Sequence, residues 1–259
     1  MSIKSNEAFF QRQGSAFIPT SASAGPWNPR LLHGRVIAGL LAFQIEENHS
    51  DPDMLPARLT VDMYRAPDFS PIEIATRIVR DGHRIKVIDA DFLSNGVSMA
   101  RASCQMLRKT SNPPGIIWQP PSWDVPLPDA VSAPHDAPNS SWEIRGITGA
   151  FGSAAQRRVW MRELRSLVEG VPLTPWMRAA LIADFASPCA HAGDQGLRYI
   201  NTDLTQYLHR LPSSDWIGME TINHRSTDGI AVGECFVYDA QGPIGSTSVV
   251  ALAQKTTPQ

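Results

Sequence analysis

The sequence predicts an α+β chain built from one unit used twice, each unit a long central helix wrapped by an antiparallel β-sheet. Both halves carry the same order of signals, a helix-period segment followed by strand-period segments separated by turn residues. Identities recur at a constant offset of 145 residues: Arg65-Ala66-Pro67 matches Arg210-Leu211-Pro212, while Ile72, Ile85 and Ser103 match Ile217, Ile230 and Ser248. Register held through strands and turns marks a duplicated unit. Between the halves, residues 112–138 are dense in proline and lack any period, as suits an extended connector. The units expected are 1–111 and 141–259, joined by a linker over 112–140. Trp118 and Trp123 in that linker should find apolar surface and pack across the two halves.

In the first unit Val36, Ile37, Leu40, Leu41 and Ile45 recur at helical spacing and predict a helix over 33–47. Strands are expected at 59–64, 72–79, 85–93 and 98–107, with Asp81-Gly82 and Asn95-Gly96 as hairpin turns. Leu59, Val61 and Met63 should face the helix while Thr60, Asp62 and Tyr64 point away; the offset puts Leu204 and Leu208 in two of the inward places. The second unit opens with a strand over 157–164. Its helix starts at Thr174-Pro175, an N-cap residue followed by proline at the first helical position, and should end before Pro188. Strands follow at 197–209, 217–223, 230–238 and 244–253.

Composition narrows the function. Hydrophobic residues make up 42% and charged residues 19%, an ordinary globular balance. A formal charge of -2 and no dense Lys/Arg run supply no field for a polyanion, so nucleic acid is excluded as a partner. No membrane span is expected, since no stretch of eighteen apolar residues appears. The N-terminus lacks the apolar core of a secretory signal, which points to the cytoplasm. Cys104, Cys189 and Cys235 are odd in number and show no CxxC spacing, so buried free thiols are expected. His191, Asp194 and His209 lack a third ligand at metal spacing and read as surface or strand residues. Phosphate-loop, dinucleotide and serine-hydrolase motifs are absent from the sequence.

Asp184 is the candidate catalytic residue. Met177, Ala180, Leu181 and Asp184 are spaced by three and four, so the carboxylate lies on the stripe that otherwise faces the core. No Lys or Arg stands three or four residues away. A distant partner, a water-filled cleft, a raised pKa or partial solvation at a fraying helix end must account for it. An oxyanion formed beside it would need donors, and the free N–H groups at the start of the opposing helix, near His33 and Gly34, supply them.

Three segments, GPWNPRLLHGRVIAGLLA at 25–42, LTPWMRAALIADFASP at 173–188 and NTDLTQYLHRLP at 201–212, resemble the tandem (double) hot-dog fold of thioesterase II-like acyl-CoA thioesterases. The resemblance implies hydrolysis of an acyl-CoA thioester without metal or organic cofactor, in a cleft between the two helices. It also implies that Asp184 activates or positions the attacking water. By the HR-x-P end of the motif, the family's hydroxyl position falls on Asn201, with Thr202 and Thr205 nearby, and its glutamine on Val249. The first unit keeps a glutamine at Gln105 but has Gly39 in the place of Asp184. Neither half carries the full set, so weak hydrolysis or a non-catalytic acyl-CoA or hydrophobic-ligand binder stands as the alternative. A hydratase acting on enoyl-CoA through His33 is a further one. Related double hot-dog proteins pair further, and a homodimer or larger assembly is expected.

Overall fold

The computed structural model describes residues 7–120, 123–132 and 142–254. The first half runs β1 (Phe10–Gln13), β2 (Ala16–Pro19), α1 (Gly34–His49), β3 (Met54–Met63), β4 (Ile72–Asp81), β5 (Ile85–Ser94) and β6 (Val97–Arg108). The second runs β7 (Trp142–Thr148), β8 (Arg158–Glu163), α2 (Pro175–Ala183), α3 (Ala186–His191), β9 (Ala192–Gly193) and β10 (Gly196–Leu197). It finishes with β11 (Tyr199–Asn201), β12 (Asp203–Leu208), β13 (Trp216–Thr227), β14 (Ile230–Asp239) and β15 (Gly242–Ala253).

One antiparallel sheet runs through the chain in the order β1-β2-β4-β5-β6-β3-β12-β15-β14-β13-β8-β7, with β11 also on β15. The halves join where β3 pairs with β12. There Thr60 sits opposite Thr205, their hydroxyls 3.1 Å apart. The two threonines differ by the repeat offset of 145, so each faces its own equivalent. That places the pseudo-twofold axis at this pair, and the sequence repeat and the strand register describe the same symmetry.

Along α1 every residue from Arg35 to Ile45 is buried, as a helix enclosed on all sides by sheet and second helix requires. Leu59, Val61, Leu204 and Leu208 face inward and are buried, and Asp62 and Tyr64 lie outside. Asn95-Gly96 and Asp228-Gly229 both place two consecutive residues at positive φ, the backbone of the tight hairpin turns that their sequences signal. All three cysteines are free and buried.

Three expectations change. The α2 helix ends at Ala183, but the chain becomes helical again in α3, where Pro188 stands in the first turn and removes no intrahelical bond. The strand expected over 197–209 is broken into β10, β11 and β12. Among the described residues of the linker, the two tryptophans do not pack across both halves. Trp123 stacks on Tyr238 at 4.2 Å and lies 4.7 Å from Trp160, filling the space over Gly218, all in the second half. Trp118 is 81% exposed. Residues 121–122 and 133–140 of the linker lie outside the described residues.

Candidate active site

The site forms where the start of α1 meets the end of α2. His33 takes the N-cap position of α1, and its Nδ1 stands 3.2 Å from the Arg35 N–H. In α2 the Thr174 hydroxyl accepts from the Met177 N–H at 3.1 Å, fixing the helix start that Thr-Pro announces. Asp184 is the C-cap of α2. A carboxylate is disfavoured at a helix C-terminus, but here it projects onto the N-terminus of α1, whose dipole end carries the opposite sign.

Asp184 is 5% exposed. Asn201, at the end of β11, donates from Nδ2 to Asp184 Oδ1 at 2.8 Å, and His33 Nδ1 lies 3.3 Å from Oδ2. A Cβ on Gly34 would fall 2.8 Å from Oδ1, so only glycine lets the carboxylate rest against the first turn of α1. The two contacts of His33 Nδ1 require opposite protonation, since accepting from the Arg35 N–H uses the lone pair and donating to Asp184 uses the proton. A lone pair facing a buried carboxylate is repulsive, so we assign the proton to Nδ1.

Burial pushes the Asp184 carboxyl up, but His33, Asn201 and the positive charge of Arg35 together hold it below the usual carboxylate range. Neither a raised pKa nor a solvated, frayed helix end accounts for it; the compensating cation comes from the other helix. Arg35 is 3% exposed, ion-paired to Glu163, with its guanidinium 4.2 Å from the Trp142 ring and 4.7 Å from that of Phe9.

Two cavities flank this centre, of about 450 Å³ and about 270 Å³, and Asp184, His33 and Asn201 stand in the wall of both. Gly25, Pro26 and Trp27 also line both and divide them. Their loop is closed at its neck by the Gly25 N–H donating to the Leu31 carbonyl at 2.7 Å, where a Cβ on Gly25 would be 3.2 Å from the carbonyl oxygens of Leu31 and Leu32.

Models of the acyl-CoA thioesterase N-terminal domain and C-terminal domain match residues 23–107 and 118–252. The chain belongs to the acyl-CoA thioesterase family. It is similar to a putative thioesterase from Novosphingobium aromaticivorans at 19% identity, over 96% of this chain and 99% of that one, with a TM-score of 0.72. A tesB protein from Mycobacterium avium subsp. paratuberculosis matches at 16% identity over 95% and 96%, TM-score 0.70. A hot-dog protein of unknown function from Alicyclobacillus acidocaldarius matches at 17% over 96% of each chain, TM-score 0.73. No curated protein matches the chain in sequence. The fold of this family member is the tandem hot-dog.

Of the residues singled out in the sequence of this thioesterase-family chain, Asp184, Asn201, His33 and Gly34 are brought together, and Thr202 lines the smaller cavity. The others lie elsewhere. Thr205 points to the outer face of the sheet, bonded to Thr60. Gln105 alternates with the inward-facing Cys104 and Met106 and so faces away from α1. Val249 does face inward, but it is 1% exposed in the core and lines neither cavity, so the site does not lose a cleft amide there.

Arg35, Ser187, Trp142 and the Gly25–Leu31 loop were not singled out. An arginine on an otherwise buried helix face was the available signal for Arg35; the others depend on which segments meet. His191 is not a surface residue: it is 5% exposed, its Nδ1 2.9 Å from Nδ1 of His224, and burial lowers its pKa to about 4. Among the described residues no group of three or more His, Cys, Asp or Glu could hold a metal, and no helix is long and apolar enough to cross a membrane.

Proposed function

We propose that this chain hydrolyses an acyl-CoA thioester to the free acid and CoA, with Asp184 as the base that activates water. The observation that carries this reading is an ionised, buried carboxylate held against the N-terminus of α1 in the shared wall of two cavities. A thioester is a junction of two long groups, and such a junction fits a reactive centre placed between two cavities.

Asn201 and His33 fix the two oxygens of Asp184 and so the direction of its lone pairs. Water held by the carboxylate attacks the thioester carbonyl carbon while its proton passes to Asp184. Negative charge moves from the carboxylate to the carbonyl oxygen, where the Gly34 N–H and the dipole of α1 stabilise it. Collapse of the tetrahedral species breaks the C–S bond, and the proton on Asp184 returns to the departing thiolate. The site thereby regains its starting charge.

The test is release of free thiol from a series of acyl-CoAs by wild type and Asp184→Asn. Asparagine keeps the shape and removes the base, so turnover should fall a hundredfold or more, about 2.7 kcal/mol of transition-state stabilisation. Unchanged turnover in Asp184→Asn would refute the base. Acyl-CoA bound without turnover by wild type would favour the binder. The His33–Asp184 contact supports one second reading, hydration of an enoyl thioester, which would consume the double bond and release no thiol.

A further inference from the structure

We propose that the smaller cavity is the acyl pocket and that Ile37 and Met63 set its depth, so that thioesters of short to medium acyl chains are the substrates. This inference rests on the thioesterase reading of the same centre. The two cavities differ in what they offer a ligand. Away from Asp184, the smaller one is walled by Leu32, Ile37, Met63 and Ile200, with Asn28, Thr202 and the exposed Arg65 among its polar side chains. Buried in the wall of the larger are Arg35, Arg165 and Ser187, at 3%, 5% and 2% exposure. Arg35 and Arg165 are already held inside the protein, Arg35 by Glu163 and Arg165 by the Glu7 carbonyl, so with Ser187 they give the larger cavity a polar wall that suits the amide groups of a pantetheine arm better than an alkyl chain. In the smaller cavity the same chain gains burial against the four apolar side chains, while the exposed Arg65 can keep its head group in water.

Depth follows from the helix. With the thioester carbonyl at Gly34, the chain runs down α1, and no residue of that helix beyond Ile37 lines the cavity. Three residues of helix advance about 4.5 Å. That is roughly three or four methylenes of extended chain, given carbon–carbon bonds of about 1.5 Å. Met63, half-buried at the end of β3, is a flexible thioether that can yield somewhat further. Chains of roughly four to eight carbons therefore fit, counting the carbonyl carbon and the reach that Met63 allows.

The experiment is kcat/KM for acetyl-, butyryl-, hexanoyl-, octanoyl-, lauroyl- and palmitoyl-CoA in wild type, Ile37→Ala, Met63→Ala and Met63→Phe. Wild type should peak between butyryl- and octanoyl-CoA. Ile37→Ala and Met63→Ala should each raise the lauroyl-to-hexanoyl ratio about tenfold, and Met63→Phe should lower it. Met63 lies at the rim of the core, so its variants keep the test open if Ile37→Ala fails to fold. Leu197→Ala, which enlarges the other cavity, should leave the ratio unchanged. A wild-type optimum at palmitoyl-CoA, or a ratio that follows Leu197 instead of Met63, overturns the assignment. If no chain length is hydrolysed, the thioesterase reading fails by itself. The dependence of acyl-CoA affinity on chain length in the same variants then decides the pocket.

Discussion

The two ends of the helix pair are related by the repeat, yet they hold different residues. At one end Gly34 gives way to the carboxylate of Asp184. At the other, Gly39, which the offset makes the equivalent of Asp184, gives way to Leu181: a Cβ there would lie 2.6 Å from Leu181 Cδ2 and 3.3 Å from Leu167 Cδ1. The equivalent of Gly34 is Ala179, whose carbonyl is taken by Gln206 Nε2 at 3.0 Å. A cavity of about 280 Å³ remains at the second end, but Pro56 stands where the first has Asn201, and Trp176 where it has Leu31. Of its two carboxylates, Glu46 and Asp51, Glu46 is pushed up by burial, opposed by the Thr174 hydroxyl, whereas three partners hold Asp184 down. The close helix crossing is kept at both ends, and only one of them has a carboxylate set into it.

The strongest way to break this contrast is to put the carboxylate into the other end. Gly39→Asp would force a side chain into Leu181 and bury an unpaired charge, and should cost about 4 kcal/mol of stability. Urea unfolding measures it. In an Asp184→Asn background the same change should restore no thiol release, because Pro56 stands at the equivalent of Asn201 and Arg178, the equivalent of His33, is engaged by the Glu163 carbonyl and Asp215; restored turnover would show that the second end is still competent.

Val249→Gln probes whether a core position near the site can be made part of it. Since Val249 lines neither cavity, the amide should be buried without partners at about 2 kcal/mol, with no gain in hydrolysis. Faster turnover would mean that the core opens there. A smaller effect is expected at the orienting group, where Asn201→Ala should slow hydrolysis about tenfold, about 1.4 kcal/mol, with KM little changed.

Acid tests the charge itself. A carboxyl whose folded pKa is depressed stabilises the fold above its unfolded value and loses that contribution as pH falls through the folded one. The stability difference between wild type and Asp184→Asn should therefore be full above about pH 4 and shrink below it. A difference that grows on acidification would contradict an ionised Asp184.

Much of this was legible in the sequence because it is periodic. Leu59, Val61, Leu204 and Leu208 alternate with polar residues and are buried, and Thr174-Pro175 starts the helix it signals, because caps and pleat alternation act within a few residues. Asp184 stood out for a similar local reason, a carboxylate on an apolar stripe. Of its partners, Asn201 and His33 were named in the sequence and Arg35 was not. Gln105 and Thr205 sit in strands close to the expected region but on the outer side of the pleat, and a side-chain period of two makes neighbouring positions face opposite ways.

What the sequence determined by itself was the duplicated unit, the central helix of each half and the odd carboxylate, all consequences of spacing along the chain. Only the tertiary structure decided that His33, Asn201 and Arg35 hold the Asp184 carboxyl below its usual range, and that the helix pair carries two cavities beside Asp184 and, at the other end, one cavity without such a carboxylate set. Those groups come from α1, β11 and the end of α2, and electrostatics acts through space: a charge buried among partners from three elements has its state set by distances that no single segment encodes.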